Sequence, residues 1–346
     1  MFSTLTRWGV VGSLVFFKPN RLDGDEVFTF YFCLVLIFLS LFVRKVREAD
    51  VKLPGLFVLS LGISLCINFS WPSRMVTLNS LIGLLAIKAV LERYDFDVYK
   101  TARALFVFCA FNCAFLLLQK VNMDPIFMKV YEEKAGMMWM PWMLGASAVM
   151  CIPFLTQVSK KYALIALPML LESRSKSCMV AAVIAFYLSS GGRLNFKWIG
   201  FSIIAILSYV YFADFNFDLT RAHVWGKALA YMKNPWIGNG PGSWAQSGFL
   251  KYNGATPEHW RWAHNEWVQV LYEQGGLGVV ALSGLVLGLL RRDRLRLAML
   301  GTLVMMSFFH PVFRFGKFLG LIVLIFAWIM HRSERGSRVL EFQNTI

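Results

Sequence analysis

Apolar residues in this chain fall in blocks separated by short polar stretches. The blocks lie near 8–17, 27–43, 53–69, 75–90, 104–118, 138–155, 162–171, 177–188, 198–212, 264–290, 297–309 and 318–330. The clearest is Val27–Val43, seventeen residues without a charge. A helix that crosses a bilayer needs roughly 20 mostly apolar residues. The pattern therefore predicts an all-α, polytopic membrane protein of about twelve transmembrane helices in one integral domain, 1–346. The first block follows Arg7 and has no small-residue cleavage site, so it does not read as a removable signal peptide.

One pair of blocks is short. Glu172-Ser173-Arg174-Ser175-Lys176 separates 162–171 from 177–188. The pair reads as one interrupted span, two short spans or a re-entrant hairpin. Basic residues flank it on both sides, at Lys160-Lys161 and at Arg193 to Lys197. Both flanks are expected on the same, cytoplasmic side, which leaves Arg174 at an outer turn.

Composition agrees with the blocks. Of 346 residues, 57% are hydrophobic and 16% charged, against roughly 45–50% and about 25% in soluble domains. That balance argues against a soluble enzyme, a disordered chain and a secreted disulfide scaffold. The six cysteines sit in or beside apolar blocks with no CxxC pair, as small buried hydrophobes do. They imply neither a disulfide framework nor a metal site.

Net charge is +15. In a membrane protein the first meaning of such an excess is orientation, because short cytoplasmic loops collect Lys and Arg. The tightest clusters are Arg44-Lys45-Val46-Arg47 and Arg291-Arg292-Asp293-Arg294-Leu295-Arg296. With both inside, the N- and C-termini are cytoplasmic and the long loop 213–263 is outside. The outer loops still carry more basic than acidic residues, which orientation alone does not explain. No internal repeat relates the two halves, and Lys88 is left inside a span.

The late outer loop concentrates the chemistry. Asp218 to Lys233 reads as an amphipathic helix, with Leu219, His223, Gly226 and Ala230 on one stripe and Arg221, Trp225 and Ala228 on another. Arg221 and Trp225, one turn apart, share a face. Asn234-Pro235-Trp236-Ile237-Gly238-Asn239-Gly240-Pro241-Gly242-Ser243 follows. Its alternate glycines can gather backbone N–H groups into an anion-binding concavity, or simply form a turn. His264-Asn265-Glu266 then opens a helix in which Glu266, Gln269 and Glu273 make one polar stripe. A histidine at such a boundary can take a proton near neutral pH. An acid within a span points to function or to a packing hydrogen bond.

Taken in order, Ser173-Arg174, Arg221-xxx-Trp225, the Gly238–Gly242 turn and His264-Asn265-Glu266 with Gln269, Glu273, Gly275 and Gly278 resemble the O-antigen ligase and polymerase superfamily. The resemblance covers about 170–285, roughly a third of the chain. It implies an inner-membrane glycosyltransferase of the periplasmic face that uses a glycan carried on undecaprenyl diphosphate. The acceptor is lipid A-core in ligases, a second carrier-linked glycan in polymerases, or a protein hydroxyl in protein O-oligosaccharyltransferases. It implies no nucleotide sugar, no metal and no other cofactor. The bilayer is the remaining partner, and nucleic acid is not one.

The resemblance assigns roles. Arg174 and Arg221 are expected to bind the diphosphate, since a guanidinium stays charged and offers a fixed fork of donors. Both would stabilise the charge that grows on the leaving group. His264 is expected to be the general base for the acceptor hydroxyl, oriented by Asn265 or Glu266. Gly238, Gly240, Gly242 and Trp225 are expected to contact substrate. His310 and Arg314, on the last outer turn, either complete a basic pocket or anchor the interface. Asp23-Gly24-Asp25 reads as a metal-binding DxD pair or a plain turn, and a zinc site from His223, His259, His264 and His310 matches no standard spacing. Six tryptophans between Trp225 and Trp267 favour the membrane interface, with one or two lining a glycan groove. The competing classes are a multi-span transporter, for which Lys88 and Glu273 would be the signals, and a non-catalytic partner in envelope assembly.

Overall fold

The computed structural model describes residues 3–8, 10, 24–43, 45, 52–66, 69–93, 97–121, 141–173, 175–189, 219–247, 263–289, 294–309, 322 and 325. Among these the chain is mostly helical, and none is in a strand. The helices are α1 (Gly24–Leu41), α2 (Lys52–Leu65), α3 (Trp71–Arg93), α4 (Val98–Lys120), α5 (Pro141–Val158), α6 (Lys160–Ala163), α7 (Leu167–Ser173), α8 (Lys176–Ser189), α9 (Leu219–Ala230), α10 (Ser243–Gln246), α11 (Glu266–Leu289) and α12 (Arg294–Phe309). A 3-10 turn, Leu164–Ala166, joins α6 to α7. Expected blocks that fall on described residues are helical there. The block 198–212 lies outside the described residues, and most of 8–17 and 318–330 does too. Asp23 is also outside them, so the Asp-Gly-Asp pair has no structural account.

Two helices, Val98–Lys120 and the Glu266–Leu287 part of α11, are long and apolar enough to cross a membrane. α5 forms the centre. Met143, Leu144, Val149, Met150, Cys151, Phe154 and Leu155 on it are fully buried, enclosed by α4, α7, α8 and α12. Large apolar side chains also face outward, among them Phe38, Phe42, Phe111, Leu117 and Leu287. Exposed apolar area of this kind suits a surface covered by a membrane or by other protein.

The short pair of blocks is an antiparallel hairpin laid along α5. Phe106 meets Tyr162 (ring centroids 4.9 Å apart), the Cys113 thiol reaches the Ile165 carbonyl (3.3 Å), and Lys120 pairs with Glu172. The α6–α7 arm therefore runs parallel to α4 and back along α5. The return arm, α8, runs parallel to α5. Gly145 abuts Cys178 at its start, and the Gln157 amide nitrogen lies 3.4 Å from the Ser189 carbonyl at its end. The two arms together thus begin and end at one end of the bundle, which sets aside a single interrupted span and fits both two short spans and a re-entrant hairpin. At about 1.5 Å per residue, each fourteen-residue arm is roughly 21 Å long, short of a ~30 Å hydrocarbon core. Ser175 caps α8, its hydroxyl accepting from the Cys178 N–H (3.4 Å).

The ends of the bundle differ in character. The C-termini of α1 and α3 meet through Arg93, whose Nε donates to the Val43 carbonyl (3.2 Å). Lys88 pairs there with Glu92 (3.8 Å). The lysine expected inside a span belongs to a charged cluster near a helix end. Asp97 begins α4 beside this cluster, accepting from the Lys100 N–H (3.0 Å). That bond, with the Lys100 side chain, holds the Asp97 carboxyl below the usual carboxylate range. The hairpin tip at 173–176 lies at the opposite end.

Candidate functional site

A cap of α9, α10, the 231–247 segment and the start of α11 forms at the hairpin-tip end of the bundle. Its own small core contains Val224, Ala228, Trp244, Ala263 and Tyr272, flanked by Trp225 and Val268. Trp244 is fully buried and meets Tyr272 edge-on, with ring centroids 5.4 Å apart. Burial of a ring that size contributes roughly 4–6 kcal/mol of transfer free energy. Trp244 was expected at an interface or a glycan groove, and it is a core residue instead. Trp236 is the exposed tryptophan of this segment, at 69%. The buried face of α9 carries Val224 and Ala228, while His223, Gly226 and Ala230 face outward.

The Gly-rich segment docks into a broken helix. Gly275 has φ 67° and ψ −163° in the middle of α11, a region essentially restricted to glycine. A regular ladder would bond the N–H groups of residues 276 and 277 to the carbonyls of 272 and 273. Here Gly276 N–H donates to Pro235 (2.8 Å) and Leu277 N–H to Trp236 (3.0 Å). The carbonyls released, of Tyr272 and Glu273, accept from Asn239 N–H and Gly240 N–H (both 2.9 Å). Two helical bonds become four bonds between segments, and no freed backbone group of this set is left unpaired. The fit leaves no room for side chains. A Cβ on Gly275 would stand 2.3 Å from the Trp236 carbonyl carbon, and one on Gly238 (φ 71°) 2.5 Å from that of Glu273.

This docking corrects one expectation. Gly238 N–H donates to Asn234 (2.8 Å) and Gly240 N–H to Glu273. Neither amide is free to bind an anion. Gly238 and Gly240 serve close approach to α11. The Asn234 side chain accepts from the N–H groups of Trp236 (2.9 Å) and Ile237 (3.2 Å), which closes the turn. The Ser243 hydroxyl, in contrast, is buried without a hydrogen-bond partner among the described residues.

α2 latches the break from below. The Ser64 hydroxyl lies 3.0 Å from the Ile237 carbonyl and 2.5 Å from that of Glu273, and Ser60 donates to the Gln274 side chain (2.9 Å). Glu273 is therefore level with the end of α2. Its carboxylate accepts from the Gln269 amide (3.0 Å) on its own helix, and Gln269 in turn accepts from the Ala263 N–H (3.1 Å). Glu266, Gln269 and Glu273 are all buried. The expected polar stripe is joined by hydrogen bonds into a network within the cap. Ser60, Ser64 and the Gly275 break had no part in the sequence reading. The Gly275-Gly276 pair inside a helical block was the available signal.

The network ends at His264. The Trp225 indole N–H donates to the Ala263 carbonyl (2.7 Å), fixing the Arg221–Trp225 face of α9 against the residue before His264. Arg221 and His264 are both partly exposed. His264 has φ 53°, a left-handed conformation rare for a side-chain-bearing residue, and turns the chain into α11. Asn265 caps that helix, accepting from the N–H groups of Trp267 (2.9 Å) and Val268 (3.1 Å). Its carbonyl oxygen is therefore committed to the helix start and not to orienting His264. Trp267 donates to Ser307 (2.9 Å) and stacks on Phe308, tying α11 to α12.

Arg174, His310 and Arg314 lie outside the described residues, as does His259. The neighbours of Arg174 are described. Ser173 donates to the Leu170 carbonyl (2.6 Å), and its hydroxyl accepts from the Ser175 N–H (3.3 Å). Among the described residues no three His, Cys, Asp or Glu side chains gather where a metal ion would sit. No protein-family model matches the chain, and no curated protein matches it significantly.

Proposed function

We propose that this chain is a membrane glycosyltransferase of the bacterial inner membrane, moving a glycan from undecaprenyl diphosphate to an acceptor hydroxyl. The first reading is an O-antigen ligase acting on lipid A-core. A polymerase or a protein O-oligosaccharyltransferase would use the same site with a different acceptor. The bundle spans the membrane about twelve times. The termini and the Lys45–Arg93 end are cytoplasmic, and the cap is periplasmic.

One observation carries this reading. The Trp225–Ala263 hydrogen bond holds the Arg221 face of α9 at the start of α11, where His264 turns the chain in a strained conformation. Strain of this kind costs about 1–3 kcal/mol and clusters at functional sites. A cation and an imidazole are thereby held at one edge of the cap. In the reaction, His264 takes the proton of the acceptor hydroxyl. The acceptor oxygen forms its bond to the anomeric carbon as the bond to the diphosphate oxygen breaks, inverting that centre. Arg221, together with Arg174, stabilises the charge left on the diphosphate. The backbone groups freed at Gly275 are filled by the 235–240 segment, which leaves them no part in carrying a substrate through a broken helix.

The test is transfer by the purified full chain in detergent, given undecaprenyl-diphosphate-linked glycan and lipid A-core. Glycosylated lipid A-core, formed without any gradient, is the expected product. Elongated carrier-linked glycan would assign a polymerase, and glycan on an added periplasmic protein a protein transferase. Absence of product with all three acceptors would overturn the reading.

A further inference from the structure

At the end of the bundle opposite the cap, one carboxylate gathers three cations. Glu92, 6% exposed at its side chain, accepts from Arg93 Nη1 (3.2 Å) and faces Lys45 Nζ (3.4 Å) on one oxygen and Lys88 Nζ (3.8 Å) on the other. Arg93 is itself nearly buried and spends its Nε on the Val43 carbonyl. Arg93 and Glu92 thus neutralise each other inside the structure. Lys45 and Lys88 are surplus, with side chains 55% and 41% exposed. Each ammonium has three donors, and Glu92 takes at most one from each. The described cluster carries two uncompensated positive charges, held on either side of one carboxylate.

The surroundings specify what these charges meet. Phe42, beyond the end of α1, is 74% exposed and packs edge-on against exposed Phe38 (ring centroids 5.1 Å apart). Leu85, close before Lys88 on α3, is exposed too. The ammonium pair therefore sits at the rim of an apolar outer wall. A soluble anion would satisfy the charges and leave the wall uncovered. A membrane phospholipid satisfies both, with its phosphate at the rim and its acyl chains along the wall. A zwitterionic headgroup brings its own cation, so an anionic one fits the surplus.

We propose that Lys45 and Lys88 bind the phosphate of an anionic glycerophospholipid, whose acyl chains lie against Phe38, Phe42 and Leu85. The site rests on the membrane reading of the bundle and is independent of the transfer reaction. Glu92 sets the spacing of the two lysines and competes with the phosphate for them.

The test is native mass spectrometry of the full chain in detergent, titrated with phosphatidylglycerol or with phosphatidylcholine. Phosphatidylglycerol is expected to bind preferentially. The double variant Lys45→Gln/Lys88→Gln, which removes only half-exposed groups, is expected to bind it about thirty-fold more weakly, from a roughly five-fold contribution per lysine near a membrane surface. Its phosphatidylcholine binding is expected to be unchanged. Glu92→Gln, if it elutes as a folded species, is expected to bind phosphatidylglycerol more tightly. An unchanged lipid preference in the double variant would overturn the proposal. So would loss of binding in folded Glu92→Gln, or displacement of the lipid by millimolar glycerol phosphate, which would mark a soluble-phosphate site. Glycan transfer measured alongside separates the two ideas, since the double variant is expected to retain it.

Discussion

Gly275→Ala is the sharpest perturbation of the cap. The added Cβ would lie 2.3, 2.4 and 2.5 Å from three backbone atoms of Trp236 and Ile237, and none of these is the mobile end of a side chain. Alanine also cannot hold φ 67° with ψ −163° without roughly 1–3 kcal/mol of strain. The accessible relief is for α11 to heal. Residues 276 and 277 would return to the carbonyls of 272 and 273, and the 235–240 segment would be expelled. Four bonds between segments, worth about 2–6 kcal/mol together, would be exchanged for two helical bonds worth about 1–3. The segment then loses about 1–3 kcal/mol of anchoring. Hydrogen exchange read by mass spectrometry measures this directly. The Asn239 and Gly240 amides are expected to exchange roughly ten- to a hundred-fold faster, while those of Gly276 and Leu277 stay protected by the healed ladder. Gly284→Ala is the control, since a Cβ there meets nothing within 4 Å and helix propensity favours it by up to about 1 kcal/mol. Unchanged protection at 239 and 240 in Gly275→Ala would refute the docking argument.

Three further outcomes are expected. His264→Ala should lower glycan transfer by about a hundred- to ten-thousand-fold. His264→Gly, which accepts φ 53° without strain, should be equally inactive but no less stable than wild type; full activity in either would end the general-base assignment. Gly145→Ala drives a Cβ to 2.6 Å from the Ser173 hydroxyl and 2.9 Å from the Cys178 sulfur. It should cost about 1–3 kcal/mol by overpacking, seen as a lower thermal midpoint in detergent and partly restored by Ser173→Gly. Asp97, whose carboxyl titrates below its usual range, stabilises the start of α4 above its unfolded pKa. That contribution is lost as pH falls through the depressed folded value. Asp97→Asn should keep the cap and flatten the acid limb of a stability-versus-pH curve, while Asp97→Ala should cost about 1 kcal/mol at neutral pH.

The candidate site was legible in parts. Arg221 and Trp225 were assigned to one face of a helix from their spacing, and the Trp225–Ala263 bond supports that pairing. His264 was identified at a helix start, and Asn265 capping the next turn fits that position. The capping role of Asn265 was not legible, because a cap and an orienter of His264 are the same residue type in sequence. The Gly-rich segment was left open between an anion nest and a turn for a similar reason. Alternate glycines allow both an anion nest and a close approach of two backbones, and only the partner of each N–H separates the two.

Local composition by itself determined the mostly helical character of the described residues, because helical hydrogen bonds close within a few residues and apolar blocks are contiguous. It also marked the interruption at 172–176, where charge breaks the block. The tertiary structure decided what pairs across long separations. It made 160–189 a hairpin along α5, gave Lys88 and Glu273 partners in a charged cluster and a cap network, and set the 235–240 segment into the break at Gly275. Each of these depends on groups far apart in the chain meeting in space. A backbone N–H carries no sequence mark of which distant carbonyl will accept it.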